Sequence, residues 1–284
     1  MKVVLFCGGL GLRLREVSDH LPKPMVSIGS RPMLWHIMKY YAYYGHKEFI
    51  LCLGFGADVI KNYFLHYDEC LSNDFVLANG GKSLRLFSSD IHDWHVTFAD
   101  TGVNANIGQR LKAVEKYLGN DEVFLANYSD GLTDLPLPEQ IAHFSQQQKV
   151  ASFLCVRPNL SSHFISLAPN GIVRAIQDVQ QADLRINGGS FVFHRSIFQY
   201  MNEGEELLHE PFQRLVTDRQ VIAYKYDGFW ACMDTFKDKQ HLDELHARGN
   251  APWEVWKNDN NEQPSTPSTT SEESQGVRPG ILAS

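Results

Sequence analysis

The residues best suited to act on a charged ligand begin near the start of the chain. Gly8-Gly9-Leu10-Gly11-Leu12-Arg13 directly follows the apolar run Val3–Cys7. Glycines at 8, 9 and 11 leave no Cβ between the backbone N–H groups and a ligand. A helix opening after such a loop would favour an anion such as a phosphate. Arg13 adds a planar, permanently charged donor fork suited to phosphate oxygens. Lys23, in Leu21-Pro22-Lys23-Pro24-Met25, leaves a loop stiffened by two prolines. Much further along, Asp130 stands between an apolar run and Gly131, which presents its carboxylate at the edge of a sheet. Asp234 follows an aromatic strand at Trp230. Taken singly, the glycine pair reads as a turn and each aspartate as a cap or turn residue. The loop is GGxG rather than GxGxxG, and no Gly-Lys-Ser/Thr follows it, so it is neither a dinucleotide fingerprint nor a P-loop.

These residues need a scaffold, and the apolar pattern supplies one. Strands are expected at Val3–Phe6, 49–54, 75–77, 84–86, 95–99 and 123–126, and helices at Met33–Tyr44, 58–67 and 109–117. The alternation predicts a Rossmann-like, mostly parallel sheet flanked by helices, an α/β fold. Ligands bind such sheets outside the carboxyl ends of the strands, where both the glycine turn and Tyr128-Ser129-Asp130-Gly131 fall. Later strands are expected at 151–156, 164–167, 172–176, 189–194 and 221–226, with a turn at Pro169-Asn170-Gly171. They form a smaller, mixed β part. The expected organisation is one domain over 1–257, its nucleotide-binding part over about 1–149 and its sugar-binding part over about 150–257. From 258 to 284 the chain is rich in Ser, Thr, Pro, Glu, Gln and Asn, and a disordered tail is expected.

Composition narrows the function classes. The 284 residues carry a formal net charge of −7, which argues against a nucleic-acid surface, since a whole phosphate-binding face needs a basic excess. No apolar run approaches membrane-spanning length and no leader-like segment precedes the first strand, so no membrane partner and a cytoplasmic location are expected. The five cysteines are scattered without a CxxC pair and read as reduced core or near-core thiols. The twelve histidines form no HExxH pair, and those on or beside the aromatic helices read as structural.

GGLGLRL, then PKPM, then Gly29-Ser30-Arg31-Pro32-Met33-Leu34 resembles the opening of the sugar-1-phosphate nucleotidyltransferases. Leu34-Trp35-His36, Val96–Gly102, Asn187-Gly188-Gly189 and Gly228–Thr235 look most like the glucose-1-phosphate cytidylyltransferase branch, and the likeness runs to about Trp256. It implies a nucleoside triphosphate, most simply CTP, and a sugar 1-phosphate as partners, Mg²⁺ as cofactor, pyrophosphate as by-product, and a homo-oligomer. It further implies that Asp130 and Asp234 hold the metal, with Arg13, Lys23 and Asp130 catalytic. The nucleotide would be met by Leu5, Cys7, Gly8, Gly9, Gly11, Leu12, Arg13, Lys23, Thr101, Gly108, Arg110 and Ser129. The sugar phosphate would be met by Tyr128, Asp178, Arg185, Asn187 and Gly188.

Three positions depart from the family pattern. Leu12 replaces a loop hydroxyl, Val179 stands where a lysine would bind the sugar phosphate, and His163–Leu167 is bulkier than the family's small-residue segment. A neutral branched side chain cannot replace a charge-assisted bond to a phosphate. Either Arg185 or Arg157 would then supply that charge to a different acceptor, or glucose 1-phosphate would be used poorly, or the chain would be a catalytically weak nucleotide- or sugar-binding regulatory homologue. Retention of both aspartates beside Lys23 speaks for catalysis. A dinucleotide-dependent oxidoreductase lacks both the glycine spacing and an acidic residue about twenty positions on.

Overall fold

The computed structural model describes residues 1–9, 21–71, 73–158, 163–178 and 184–257. Gly11, Leu12, Arg13, Val179 and the tail 258–284 lie outside the described residues. Seven strands form the central sheet: β1 (Lys2–Phe6), β2 (Glu48–Leu53), β3 (His95–Asp100), β4 (Val123–Tyr128), β5 (Ala151–Val156), β6 (Ile186–His194) and β7 (Val221–Tyr226), in the order β7-β5-β6-β4-β1-β2-β3. β4, β1, β2 and β3 run parallel, as do β5 and β7, and β6 is antiparallel to both its neighbours. β6 thus joins the strands of the two halves into one sheet. The smaller mixed part is an extension of that sheet, together with an antiparallel hairpin of His163–Leu167 and Val173–Asp178.

The helices are α1 (Met33–Tyr43), α2 (Ala57–Leu65), α3 (Ile107–Val114), α4 (Leu137–Gln147), α5 (Glu210–Thr217) and α6 (Phe236–Ala247). β1 shows why they occupy both faces. Its side chains alternate across the sheet, so Val3 and Leu5 join one apolar cluster while Val4 and Phe6 join another. The first cluster takes Met33, Leu34, Ile37 and Met38 of α1 and Leu137 and Phe144 of α4, and the second takes Leu111 and Val114 of α3 and Phe212 and Leu215 of α5.

Residues after α6 return to the core. Trp253 is 1% exposed, its ring faces Phe229, and its indole N–H donates to His36 Nδ1 at 3.3 Å. All five cysteines are free; Cys7 and Cys52 are buried, whereas Cys70 is exposed, so the expectation of core thiols does not extend to it. Among the described residues, no helix is long and apolar enough to cross a membrane.

Candidate active site

Two short strands bring the distant aspartates together. Gly131–Thr133 pairs antiparallel with Trp230–Cys232 in the register Cys232↔Gly131, and Met233 N–H donates to Asp130 O at 2.9 Å. Asp130 therefore precedes one strand and Asp234 follows the other, at the same end of the ladder. Thr235 caps α6 immediately afterwards: its side chain accepts from Asp238 N, and Asp238 in turn accepts from Thr235 N at 2.8 Å and Asp234 N at 3.1 Å. The capping box fixes the backbone on which the Asp234 carboxylate stands.

Lys23 lies between the two carboxylates. Its Nζ donates to Asp130 Oδ2 at 2.7 Å and to Asp234 Oδ1 at 2.6 Å. The short 3₁₀ turn Lys23–Met25 starts behind Pro22, whose carbonyl accepts from Met25 N at 2.8 Å, so the lysine leaves from a stiff base. Burial works against the ammonium charge, but Asp130 and the hydrogen bonds to both carboxylates outweigh it and push the Lys23 pKa up. The lysine therefore carries a lasting positive charge.

Asp130, Cys232 and Asp234 can each offer one atom to a cation, all within 4.8 Å of one another. Burial, followed by the charge of Asp130, pushes the Cys232 thiol well above its ordinary value, so it stays protonated. Two hard carboxylate oxygens beside an inert thiol suit Mg²⁺, which prefers oxygen and commonly takes one or two protein carboxylates.

A cavity of about 430 Å³ opens beside these groups, lined by Phe6, Gly9, Lys23, Pro24, Tyr128, Ser129 and Asp130 on one side and by 103–107, Arg110 and Glu206 on the other. Gly9 is exposed and a Cβ there would meet nothing within 4 Å, so its backbone is open to a ligand. Ser129 Oγ donates to Phe6 O at 2.7 Å and ties the ends of β4 and β1 together under this wall. Tyr128 extends the wall toward Asn187, whose Nδ2 donates to the Tyr128 hydroxyl at 3.4 Å.

Several residues expected at the ligand are tied to the protein's own backbone. The Arg110 guanidinium is 2% exposed; Nη1 donates to Leu53 O (3.1 Å) and Thr101 Oγ1 (2.7 Å), and Nη2 to Gly8 O (2.9 Å) and Val103 O (3.3 Å). It pins the ends of β1, β2 and β3 together at the wall of the cavity, which it also lines. Thr101 is part of that pin, since its hydroxyl also donates to Leu53 O at 2.7 Å. Gly8 lacks a Cβ for the same reason: one would fall 2.0 Å from Arg110 Nη1. Leu5 and Cys7 are 0% exposed, and Cys7 N–H donates to Cys52 O, so neither presents a side chain to a nucleotide. Burial pushes the Cys7 thiol up to about 12. Gly108 turns its bare Cα to the chain at Glu205, where a Cβ would sit 2.2 Å from the carbonyl oxygen.

On the acceptor side, Arg185 is committed elsewhere. It donates to Cys155 O, Tyr226 O and Asp227 Oδ1 at 3.2, 3.3 and 2.9 Å, and Arg157 meets the same Asp227 oxygen at 3.1 Å. Asp178 ends the separate hairpin opposite His163 and does not line the cavity. Gly188 faces Trp230, whose indole N–H donates to its carbonyl at 2.8 Å. Sequence reasoning gave Trp230 no role beyond its strand and passed over Glu206. Glu206 accepts from Ile107 N at 3.3 Å and Leu207 N at 3.0 Å at the cavity mouth, and no local motif announces it. The Asn106–Gln109 capping box starts α3 at Ile107, two residues before the helix expected at 109–117.

Glucose-1-phosphate cytidylyltransferases of Salmonella typhimurium and Salmonella typhi are each 37% identical to this chain over 258 residues, which is 90% of this chain and 100% of theirs. Among solved structures, the UTP-bound UGPase from Acinetobacter baumannii superposes with a TM-score of 0.63 at 17% identity, covering 92% of this chain and 97% of that one, which is a likeness of fold. The Nucleotidyl transferase family model matches residues 2–238. The aspartate pair, the lysine between them and the glycine turn thus sit in a chain that belongs to the nucleotidyl transferase family.

Proposed function

We propose that this protein transfers a cytidylyl group from CTP to glucose 1-phosphate, releasing pyrophosphate and forming CDP-glucose, with Mg²⁺ as cofactor. The observation that carries the reading is the meeting of Asp130 and Asp234 on Lys23, at 2.7 and 2.6 Å, with Lys23 and Asp130 lining a cavity edged by Gly9. The full-length similarity to glucose-1-phosphate cytidylyltransferases supports the choice of substrates. In the reaction, an oxygen of the sugar phosphate attacks the α-phosphorus of CTP, and the bond from that phosphorus to the β-phosphate oxygen breaks. Pyrophosphate carries the electron pair away, so no covalent enzyme intermediate is needed.

Such chemistry asks the protein for alignment and charge neutralisation. Asp130 and Asp234 would hold the Mg²⁺ ion, which supplies positive charge to the reacting phosphates. The Lys23 ammonium leaves its rigid turn already charged and reaches the same point. The Gly9 backbone lets a phosphate approach closely, and Gly11, Leu12 and Arg13 are assigned to the same triphosphate. Tyr128 and Asn187 offer a hydroxyl and an amide for the hydroxyls of the sugar. Arg185 and Arg157 share Asp227, and Lys23 and the metal would offer the sugar phosphate a countercharge. A homo-oligomer belongs to this reading, supported by exposed apolar residues such as Ile165 and Ile176 on the hairpin. A cytoplasmic location also belongs to it, since both substrates are highly charged.

The test is pyrophosphate release with each of four nucleoside triphosphates against a panel of sugar 1-phosphates, with and without Mg²⁺. A Mg²⁺-dependent signal largest for CTP with glucose 1-phosphate supports the assignment. Release with another pair replaces the substrates, and nucleotide binding without release with any pair overturns the reading.

A further inference from the structure

β6 does not run straight past the acceptor side. Its pairing with β5 steps from Phe153↔Phe191 to Cys155↔Asn187, so β6 spends four residues where β5 advances two. The extra length is taken up at Gly188-Gly189-Ser190. Gly189 has φ +76° and Ser190 φ +45°, the left-handed region that a serine rarely adopts. Gly189 could carry no side chain here, because a Cβ would lie 2.6 Å from Asn127 Oδ1. A bulge of this kind beside a site re-aims a neighbouring side chain, and its strain persists only where the surroundings hold it.

The holder is Gln140 of α4, which is 0% exposed. Its Nε2 donates to Ser190 O at 2.6 Å and its Oε1 accepts from Ser190 Oγ at 3.0 Å. Asn127, at the end of β4, accepts from Ser190 N at 3.0 Å. The backbone N–H, the carbonyl and the hydroxyl of Ser190 are all occupied by these two buried amides. On the other side of the bulge, Asn187 Oδ1 accepts from Gly189 N at 2.9 Å while its Nδ2 reaches Tyr128. The chain of contacts therefore runs from Gln140 through Ser190 and Gly189 to Asn187 and then to Tyr128 on the cavity wall.

We infer that Gln140 is a positioning residue for the acceptor: by clamping Ser190 in its left-handed conformation it sets the bulge that aims Asn187 and Tyr128 at the sugar. The inference rests on the proposed reaction for the identity of that acceptor. Among the described residues, no hydrogen bond joins Gln140, Ser190, Gly189 or Asn187 to Gly8, Gly9 or Lys23, so the clamp acts first on the acceptor side.

The test compares wild type, Gln140→Met, Ser190→Gly and the double variant in initial rates with CTP and glucose 1-phosphate. Methionine keeps the volume and removes both hydrogen bonds. Expected is a rise of about tenfold or more in KM for glucose 1-phosphate, with KM for CTP within about twofold. In the double variant glycine should restore most of the loss caused by Gln140→Met, because glycine adopts φ +45° without a clamp; Ser190→Gly alone, which leaves the buried Gln140 Oε1 without its donor, is the background for that comparison. Equal changes in both KM values, no change in either, or no rescue by glycine overturns the inference. If the wild type is inert with this pair, the reaction reading has failed separately. Amide exchange then decides: faster exchange at Gly189 and Ser190 in Gln140→Met, reversed in the double variant, supports the clamp, and unchanged exchange overturns it.

Discussion

Replacing Arg110 separates a support from a ligand contact. In Arg110→Met the guanidinium bonds to Leu53 O, Gly8 O, Thr101 Oγ1 and Val103 O all disappear. Some acceptors keep a partner: Leu53 O still receives Thr101 N at 3.0 Å, and Gly8 O still receives Phe55 N at 3.3 Å. The loss is therefore less than four full charge-assisted bonds. With roughly 1.5–3 kcal/mol for each of the two buried ones, and incomplete additivity, the expected cost is about 3–5 kcal/mol. For a chain of this size that corresponds to a fall in Tm on the order of 10 °C. Arg110→Lys keeps the charge but not the planar fork, and should recover only part of it. Chemical denaturation, read with CTP titration on the same samples, gives both quantities. A stability within about 1 kcal/mol of wild type, with CTP binding lost, would make Arg110 a nucleotide contact and refute the assignment.

Gly8→Ala, whose Cβ would meet the Arg110 guanidinium at 2.0 Å, should cost about 1–3 kcal/mol in urea melts, while Gly9→Ala, with open space around it, should leave stability unchanged and raise KM for CTP. His36 is buried against Trp253 and Ile28 O, and burial brings its pKa down from 6.5 to about 4. The unfolded chain takes up that proton first as the pH falls, so stability is complete above about pH 6.5 and is lost as the pH drops toward 4. The contribution is about 3 kcal/mol. Its signature is a shallower slope of stability against pH between those values in His36→Gln than in wild type.

The fold was legible wherever the apolar pattern was dense. Buried strands such as Val3–Phe6 and 49–53 and the aromatic helix α1 can be read locally, because each must bury most of its side chains. α6 gives no such signal: it buries only Leu242, and its start is fixed by the Thr235–Asp238 capping box. α4 begins at Leu137-Pro138, where a proline that reads as a breaker serves the first turn. The site divides the same way. Asp130, Asp234, Lys23 and the glycine turn were legible as residue types, but what brings the aspartates together is a three-residue ladder between segments about a hundred positions apart. No local pattern encodes that pairing. For Arg110, Gly108 and Arg185 the partners that engage their donors or crowd their Cα come from distant strands and loops, which no local pattern encodes.

The central claim is that Asp130 and Asp234 form the metal-holding pair of a nucleotidyl-transfer site. The most direct measurement is kcat for pyrophosphate release by Asp130→Asn beside wild type, at saturating CTP, glucose 1-phosphate and Mg²⁺. A fall of about 10²-fold or more with an unchanged Tm is expected, since asparagine keeps the shape and removes the charge. Activity within a few-fold of wild type would contradict it.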